Sequence, residues 1–112
     1  MVTVVRSADL MVGSGRTARF EGEGYGSGVS FFLVDNEPGQ GPGLHRHPYT
    51  ETWIVRSGSA TVVADGESVD AVAGDIVTVP AGAAHRFTNT GTGRLELVCI
   101  HASPRMIQEN LE

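Results

Sequence analysis

The segment His45-Arg46-His47-Pro48-Tyr49-Thr50-Glu51 places two imidazoles and one carboxylate within a short run of chain. In extended backbone, successive side chains point to opposite faces, so the odd-numbered residues of this segment share one face. Trp53, two residues beyond Glu51, continues the same face and gives it an apolar floor. The segment therefore predicts an extended stretch in which His45, His47 and Glu51 point to the same side.

A second segment, His85-Arg86-Phe87-Thr88-Asn89, has the same alternation, so His85, Phe87 and Asn89 share a face. Together the two segments offer three neutral imidazoles and one carboxylate, a ligand set that suits first-row metal ions. Four such ligands leave one or two coordination positions open, as in catalytic sites rather than closed structural ones. Histidines two residues apart beside an acid are also often structural, so the residue types alone leave both interpretations open.

Glycine, proline and asparagine residues at fixed intervals frame both segments. The first pattern is G-x5-H-x-H-x3-E-x6-G, which runs from Gly39 to Gly58, and the second is G-x5-P-x-G-x2-H-x3-N, which runs from Gly74 to Asn89. Both match the two motifs of the cupin family without a gap. Across these residues, a little under half of its length, the chain therefore resembles a cupin.

The resemblance implies an all-β fold, a jelly-roll-like double-stranded β-barrel, in which residues 1–112 form a single cupin domain. It also implies that His45, His47, Glu51 and His85 bind one divalent metal ion inside the barrel, with Fe, Mn, Zn, Ni and Cu all remaining candidates. Cupins usually pair, so we expect a homodimer. Asn89 is expected to stabilise a turn rather than to bind the metal, because its amide is a weak ligand for these ions.

The composition of the chain agrees with a small all-β domain. A length of 112 residues suits one domain, and 15 glycines and 5 prolines favour short strands joined by turns. Asp65-Gly66 and Ser57-Gly58-Ser59 are predicted to be tight hairpin turns. We predict a loop at residues 35–43 and strands at residues 2–5, 17–20, 29–34, 50–56, 60–64, 68–72, 76–79, 84–88 and 95–100.

One short helix is predicted after the last strand. Ser103 is a favourable N-cap, and Pro104 suits the first helical position, where its missing N–H has no cost. Ile107 and Leu111 are four residues apart and would share a face against the barrel. A helix this short is not stable alone, so we expect it to cover an open end or edge of the barrel.

The charge and the reactive side chains exclude several classes of function. A net charge of −5 opposes binding to nucleic-acid backbones and to anionic membranes. All eight cationic residues are arginine, which excludes Schiff-base chemistry on a lysine. Cys99 is the single cysteine and has no partner for an internal disulfide, and no stretch is typical of a signal peptide or a membrane span. We therefore expect a cytoplasmic protein.

Three further residues are candidates for the pocket beside the metal. His101 shares a strand face with Cys99 and would act as a general acid or base if that face points inward; otherwise it is a histidine at the barrel rim. Trp53 and Phe87 are predicted to line the substrate pocket, where they would stack on a flat substrate or simply fill the barrel. Cys99 itself is predicted to be a small buried apolar residue.

Four functions fit a metal-binding barrel. The first is an oxygenase that uses iron or copper, and the second is a non-redox isomerase, decarboxylase or lyase in which the ion acts as a Lewis acid. A non-catalytic binding module is the third, and a structural or storage role is the last. Arg16 and Arg19 are the only cations expected to face inward, which disfavours a phosphorylated substrate. We favour a metal-dependent enzyme for a small organic substrate, with dioxygenase chemistry first and the non-redox reactions second.

Overall fold

Ten β-strands form two antiparallel sheets in the computed structural model, which describes residues 1–112. The strands are β1 (Ala18–Phe20), β2 (Ser30–Asn36), β3 (His45–Arg46), β4 (Glu51–Ser57), β5 (Ser59–Ala64), β6 (Glu67–Val72), β7 (Ile76–Val79), β8 (His85–Asn89), β9 (Leu95–His101) and β10 (Glu109–Asn110). One sheet has the order β1-β2-β9-β4-β7 and the other the order β10-β3-β8-β5-β6. This arrangement confirms the predicted all-β, jelly-roll-like double-stranded barrel.

Helical structure is limited to two short 3₁₀ helices, at Ser7–Asp9 and Gly22–Tyr25. Neither of them, nor any other part of the structure, is a helix with the length and apolar character needed to cross a membrane. Eight of the predicted strands correspond to β1, β2 and β4 to β9, with ends that differ by one or two residues. The two-residue strands β3 and β10 were too short for the hydrophobic pattern to predict.

The register between β4 and β9 separates a polar end of the barrel from an apolar end. Glu51 lies opposite His101, whereas Val55, further along β4, lies opposite Leu97. All four side chains are buried, so the inward faces change from ionisable to apolar along the two strands. The apolar core consists of Val34, Trp53, Val55, Ala60, Val62, Ala71, Val79, Ala83, Phe87, Leu95, Leu97 and Cys99.

The two predicted hairpin turns have different outcomes. Asp65-Gly66 joins β5 to β6 with positive φ at both residues, 48° and 78°, as a type I′ turn requires. Gly58 instead leads the chain from one sheet to the other, because β4 pairs with β7 and β9 while β5 pairs with β6 and β8. Its φ is 83°, and a Cβ there would collide with the carbonyl oxygen of Arg94, so only glycine fits. The hairpin predicted at Ser57-Gly58-Ser59 is therefore wrong.

The predicted C-terminal helix is also wrong. Residues 102–112, the C-terminal tail, run as bends and extended chain that include β10. In a helix each N–H bonds to the carbonyl four residues earlier, but in the tail these groups bond to distant partners. Met106 donates to a carboxylate oxygen of Glu21 (2.9 Å), and Ile107 donates to the hydroxyl of Tyr49 (3.2 Å). Tertiary contacts therefore outweigh the helix signals, which are weak over so few residues.

The strand predicted at residues 2–5 does not form, and Val2 and Val4 are exposed. The edge of β1, with which such a strand would pair, is already occupied. Arg19 donates to the carbonyl of Leu10 (2.9 Å), and Met11 forms a bridge with the first residue of β1. Because this edge is taken, the β-branched run has no partner there for its backbone groups and stays irregular.

Candidate metal centre

Four buried side chains meet at the polar end of the barrel. His45 lies in β3 and His47 just after it, Glu51 begins β4, and His85 begins β8. Their ligand atoms all lie within 4.8 Å of one another. Glu51 Oε1 is 3.1 Å from His47 Nε2 and 3.1 Å from His85 Nε2. The structure thus brings the four predicted metal ligands together in one group, the metal cluster.

Each histidine of the metal cluster has its Nδ1 atom held by a backbone carbonyl. These contacts join His45 to Gly43 (2.7 Å), His47 to Ile107 (2.8 Å) and His85 to Ala83 (2.8 Å). A carbonyl oxygen can only accept a hydrogen bond, so Nδ1 carries the ring proton and Nε2 keeps its lone pair. All three Nε2 lone pairs are therefore available to a metal ion, which is the usual arrangement of metal-binding histidines.

One atom of the metal cluster has no hydrogen-bond partner. Nε2 of His47 is buried and makes no hydrogen bond, although Glu51 Oε1 lies 3.1 Å away. A buried polar atom left unsatisfied costs about 1–3 kcal/mol, and a metal ion would use its lone pair. The donor set of three imidazoles and one carboxylate fits one divalent metal ion.

The polar side chains around Glu51 hold it as a carboxylate. Burial alone would raise its pKa, but these surroundings hold the pKa of Glu51 well below its usual value. The indole N–H of Trp53 donates to Oε2 at 2.6 Å and acts in the same direction. Trp53 is thus packed behind the carboxylate, with its ring edge-on to Phe87 (centroids 5.1 Å apart).

A cavity of about 500 Å³ reaches the metal cluster from one side. His45 and Glu51 line it, whereas the other two ligands do not. Of the two predicted pocket residues, Phe87 lies on the cavity wall and Trp53 does not, which differs from the expectation for the indole. The open side of the cluster therefore faces the cavity, where a substrate or water reaches the positions that the protein ligands leave free.

His101 is buried beside the metal cluster rather than exposed at the barrel rim. Its Nε2 lies 3.5 Å from Glu51 Oε2, and its Nδ1 lies 2.6 Å from the hydroxyl of Tyr49. That hydroxyl accepts the N–H of Ile107, so its own proton is free to be donated to Nδ1. Burial lowers the pKa of His101 to about 4, so the ring is neutral and has its proton on Nε2.

The cupin-domain family model matches residues 32–101, which is more than half of the chain and includes the whole metal cluster. This chain belongs to the cupin family. No curated protein sequence matches it significantly. The remaining comparisons are with solved structures, which have the same fold at low sequence identity.

Oxalate decarboxylases and an oxalate oxidase are among the similar structures. A structure of Bacillus subtilis oxalate decarboxylase, from work on its Mn(II) centres, is 25% identical with a TM-score of 0.76, and the match covers 85% of this cupin and 27% of that chain. The formate complex of Lactobacillus farciminis oxalate decarboxylase is 23% identical with a TM-score of 0.80, and the match covers 93% of this cupin and 34% of that chain. Oxalate oxidase in complex with the substrate analogue glycolate is 24% identical with a TM-score of 0.75, covering 85% and 54%. This cupin spans about a quarter to a half of the length of those chains.

Asn89, the last residue of the second motif, holds a turn as predicted. Its amide nitrogen donates to the carbonyls of Asn36 (3.1 Å) and Gly93 (2.9 Å), and its amide oxygen accepts the N–H of Gly91 (3.0 Å). Because both ends of the amide are used, Asn89 is not available as a ligand, and it lies outside the metal cluster.

The two arginines expected to face inward have different positions. Both side chains are exposed, but Arg16 also lines the cavity. Arg19 is exposed, lies 3.8 Å from a carboxylate oxygen of Glu21 and donates to the sulfur of Met106. Only one of the two therefore contributes a positive charge to the pocket.

Two parts of the site were not predicted from the sequence. Tyr49 has the same odd-numbered position in its segment as His45, His47 and Glu51, and this alternation is the signal that would have identified it. Ile107 holds His47 through a backbone carbonyl that lies 60 residues away in the chain. No local pattern indicates such a contact.

Proposed function

We propose that this cupin is a metal-dependent enzyme that converts a small organic substrate, with oxygen-dependent, dioxygenase-type chemistry as the leading candidate. The main observation in support is the position of the metal cluster at a cavity of about 500 Å³. Volumes of about 300–1,000 Å³ are usual for small-molecule sites. Because His45 and Glu51 of the cluster line the cavity, a substrate held there would lie next to the metal cluster.

The protein supplies the surroundings for this chemistry. A bound divalent metal ion would offer open coordination positions and either Lewis acidity or one-electron chemistry, according to its identity. Phe32, Val34 and Phe87 give the cavity an apolar wall, which keeps water away from the reacting groups. Trp53 fixes the orientation of Glu51 through its hydrogen bond to Oε2.

His101 is the residue best placed to donate a hydrogen bond to a substrate. It lines the cavity, and its Nε2 atom lies 3.5 Å from Glu51 Oε2. Tyr49 acts as a positioning residue, because its hydroxyl donates to Nδ1 and so keeps the proton of the ring on Nε2. A substrate oxygen in the cavity would receive a hydrogen bond from this nitrogen.

The similar structures support an enzyme over a passive binder. Oxalate oxidase and the Mn(II)-containing oxalate decarboxylase are both enzymes, and the latter is 25% identical to this chain. This cupin spans only about a quarter to a half of their length, so oxalate itself is not proposed as the substrate. These structures support only the kind of site, which is a metal ion beside a substrate cavity.

A non-redox reaction such as decarboxylation, isomerisation or elimination is the second candidate. The observation in its favour is the neutral ring of His101 beside the metal cluster. Lewis-acid chemistry on a carbonyl compound benefits from a hydrogen-bond donor near the metal. A binding module without turnover would use the same cavity and have no use for that donor.

Oxygen consumption separates these candidates. Protein reconstituted with Fe(II), Cu(II), Mn(II), Zn(II) or Ni(II) would be screened against catechols, enols and small carboxylic acids, with and without oxygen. The proposal predicts turnover that consumes oxygen and disappears in His85→Ala, while the exposed-site control Arg105→Gln is unaffected. Turnover that proceeds equally without oxygen would establish the non-redox reaction instead. Binding of a screened compound without turnover under any of these conditions would contradict both enzyme proposals.

We also propose that the protein is cytoplasmic, in keeping with its single, buried and unpaired cysteine. We further propose that it forms a homodimer. The outer face of the sheet that contains β4 has an apolar row across four strands. Ile54 lies opposite both Val98 and Ile76, and Val98 lies opposite Leu33. Leu33 and Ile76 are 37% and 61% exposed. A contiguous apolar surface of this kind is typical of an association face.

The charges beside this row suit a twofold interface. Arg56 in β4 and Glu96 in β9 lie at one end of it, and neither forms an ion pair within the chain. In a twofold dimer the same patch meets itself, so each arginine would meet the partner's glutamate. Light scattering after size exclusion should give a dimer for the wild type and a monomer for Ile54→Glu with unchanged metal content. A wild-type monomer, or a dimer that persists in the variant, would contradict this interface.

A further inference from the structure

We propose that the cavity takes a small organic acid with an apolar body, and that Arg16 binds its carboxylate. This assignment of a substrate class rests on the proposed function, since the same cavity serves the metal cluster. Arg16 lines the cavity together with His45, Glu51 and His101. It contacts none of the metal ligands, so the inference concerns the wall of the cavity and not the metal position.

The charge of Arg16 is the one cationic charge in the cavity that no acid neutralises. Of the two acids in the wall, Asp35 is paired with Arg94, and Glu51 belongs to the metal cluster. Arg19, Arg46, Arg86 and Arg94 each pair with an acid elsewhere, whereas Arg16 forms no ion pair. In a chain of net charge −5, an unpaired arginine in a concave site attracts an anion where the rest of the surface repels it.

Backbone contacts fix the position of Arg16 at the cavity. The next residue, Thr17, accepts the N–H of Val12 at its carbonyl (2.9 Å) and the N–H of Asp35 at its hydroxyl (3.3 Å). Asp35 belongs to β2, so these bonds tie the segment that presents Arg16 to the barrel. Val12, Thr17 and Asp35 also line the cavity. The arginine is therefore presented by anchored backbone rather than by a free loop.

The other residues of the cavity wall determine the size and polarity of the acid that fits. Phe32, Val34 and Phe87 form the apolar part of the wall, and the ring of Phe32 lies edge-on to His101 with centroids 5.7 Å apart. The polar part consists of neutral groups such as Asn36, Gln40 and Gln108. A volume of about 500 Å³ holds more than a two-carbon acid, since one water occupies about 30 Å³. A single arginine also suits one carboxylate better than a doubly charged phosphate.

Phenylacetate and its uncharged counterpart phenylacetamide are matched probes for this assignment. Isothermal titration of the metal-loaded wild type should detect phenylacetate and find phenylacetamide at least about fivefold weaker, because a charge-assisted contact is lost. Arg16→Gln should weaken phenylacetate by a similar factor and leave phenylacetamide unchanged. Arg19→Gln, which changes the neighbouring arginine outside the cavity, should behave as the wild type.

The outcomes separate this inference from the proposed function. Equal binding of the two probes, or phenylacetate binding that Arg16→Gln leaves unchanged, would overturn the role of Arg16. Phenylacetate binding that disappears on metal removal but is insensitive to Arg16→Gln would also overturn it, since the carboxylate would then depend on the metal. Arg16-dependent binding in a protein that shows no turnover would support the anion site while contradicting an enzyme.

Discussion

The histidines of the metal cluster are held in two different ways. His45 and His85 each donate from Nδ1 to a carbonyl two residues earlier in the same segment. His47 donates to Ile107, which lies 60 residues later. Local backbone therefore orients two of the ligands, whereas the third depends on the docking of the C-terminal tail. From this difference we expect the affinity for the metal to report whether the tail is docked.

Several of the contacts that dock the end of the tail are on the surface. β10 pairs with β3, and the carboxylate of Glu109 accepts two hydrogen bonds from Arg46, at 2.9 and 3.0 Å. Glu112 accepts the N–H of Leu44 (2.8 Å) and a hydrogen bond from Arg86 (3.2 Å). Exposed ion pairs contribute little to stability. We therefore expect the end of the tail to open more readily than the barrel strands.

Removing His47, the ligand that depends on the tail, should cause the largest loss of metal affinity. In His47→Ala we expect the affinity for a divalent metal to fall by more than about 100-fold. Loss of a group that only orients a ligand already lowers metal affinity by about 10–100-fold. The apolar core lies towards the other end of the barrel, so the variant should stay folded. Titration calorimetry and circular dichroism measure the two properties. His85→Ala is the matched comparison, and unfolding of either variant would mean that the metal is structural.

Removing residues 106–112 should have the next largest effect. The deletion leaves all four ligands in place but takes away the carbonyl of Ile107, so the ring of His47 loses the group that orients it. We expect affinity for Mn(II) or Zn(II) to fall by about 10–100-fold. A shorter deletion, of residues 111–112 alone, keeps Ile107 and should lower the metal affinity much less. Unchanged affinity in the longer deletion would show that His47 is oriented without the tail.

Tyr49→Phe should have a smaller effect, because it removes one link between the tail and the site. The variant loses the acceptor for the N–H of Ile107 and the donor to His101. We expect a fall in metal affinity of about threefold and a decrease of about 1 kcal/mol in the free energy of unfolding. Tyr25→Phe, a change at an exposed tyrosine, is the control for both measurements. A loss of affinity larger than that of the tail deletion would mean that Tyr49 acts on the metal cluster directly.

Glu109→Gln should have the smallest effect. The substitution weakens the contact with Arg46 that helps to dock β10, and exposed pairs of this kind are worth little. We expect about a twofold loss of metal affinity at low salt, and the difference from wild type should vanish as salt screens the pair. Glu67→Gln changes an exposed acid in β6 that forms no ion pair and serves as the control. A difference that persists at high salt would point to a contribution other than charge.

The sequence predicted the metal cluster well because its residues lie in two short segments. Alternation of side chains along extended chain correctly placed His45, His47 and Glu51 on one inward side, and the second motif supplied His85. Asn89 was also assigned correctly as a residue that stabilises a turn. Gly58 nevertheless shows the limit of turn signals, since the same positive φ serves a hairpin and a crossover between sheets.

Features that depend on distant contacts could not be predicted in this way. Ser103 and Pro104 are favourable for a helix start, but the N–H groups of Met106 and Ile107 find partners in other parts of the barrel. Trp53 has the alternation of a pocket residue, yet its indole N–H is used by Glu51, and only the packed structure shows this. Local pattern fixed which side chains are buried, and tertiary contacts determined what each buried group faces.

The metal content of untagged protein, purified without chelator, tests the metal cluster most directly. Mass spectrometry of the wild type should find about one equivalent of a divalent first-row metal per chain, as four converging ligands predict, and His47→Ala should contain almost none. A wild-type protein that stays free of metal, even after reconstitution with Mn(II), Fe(II), Ni(II), Cu(II) or Zn(II), would contradict the assignment of these four residues as a metal centre.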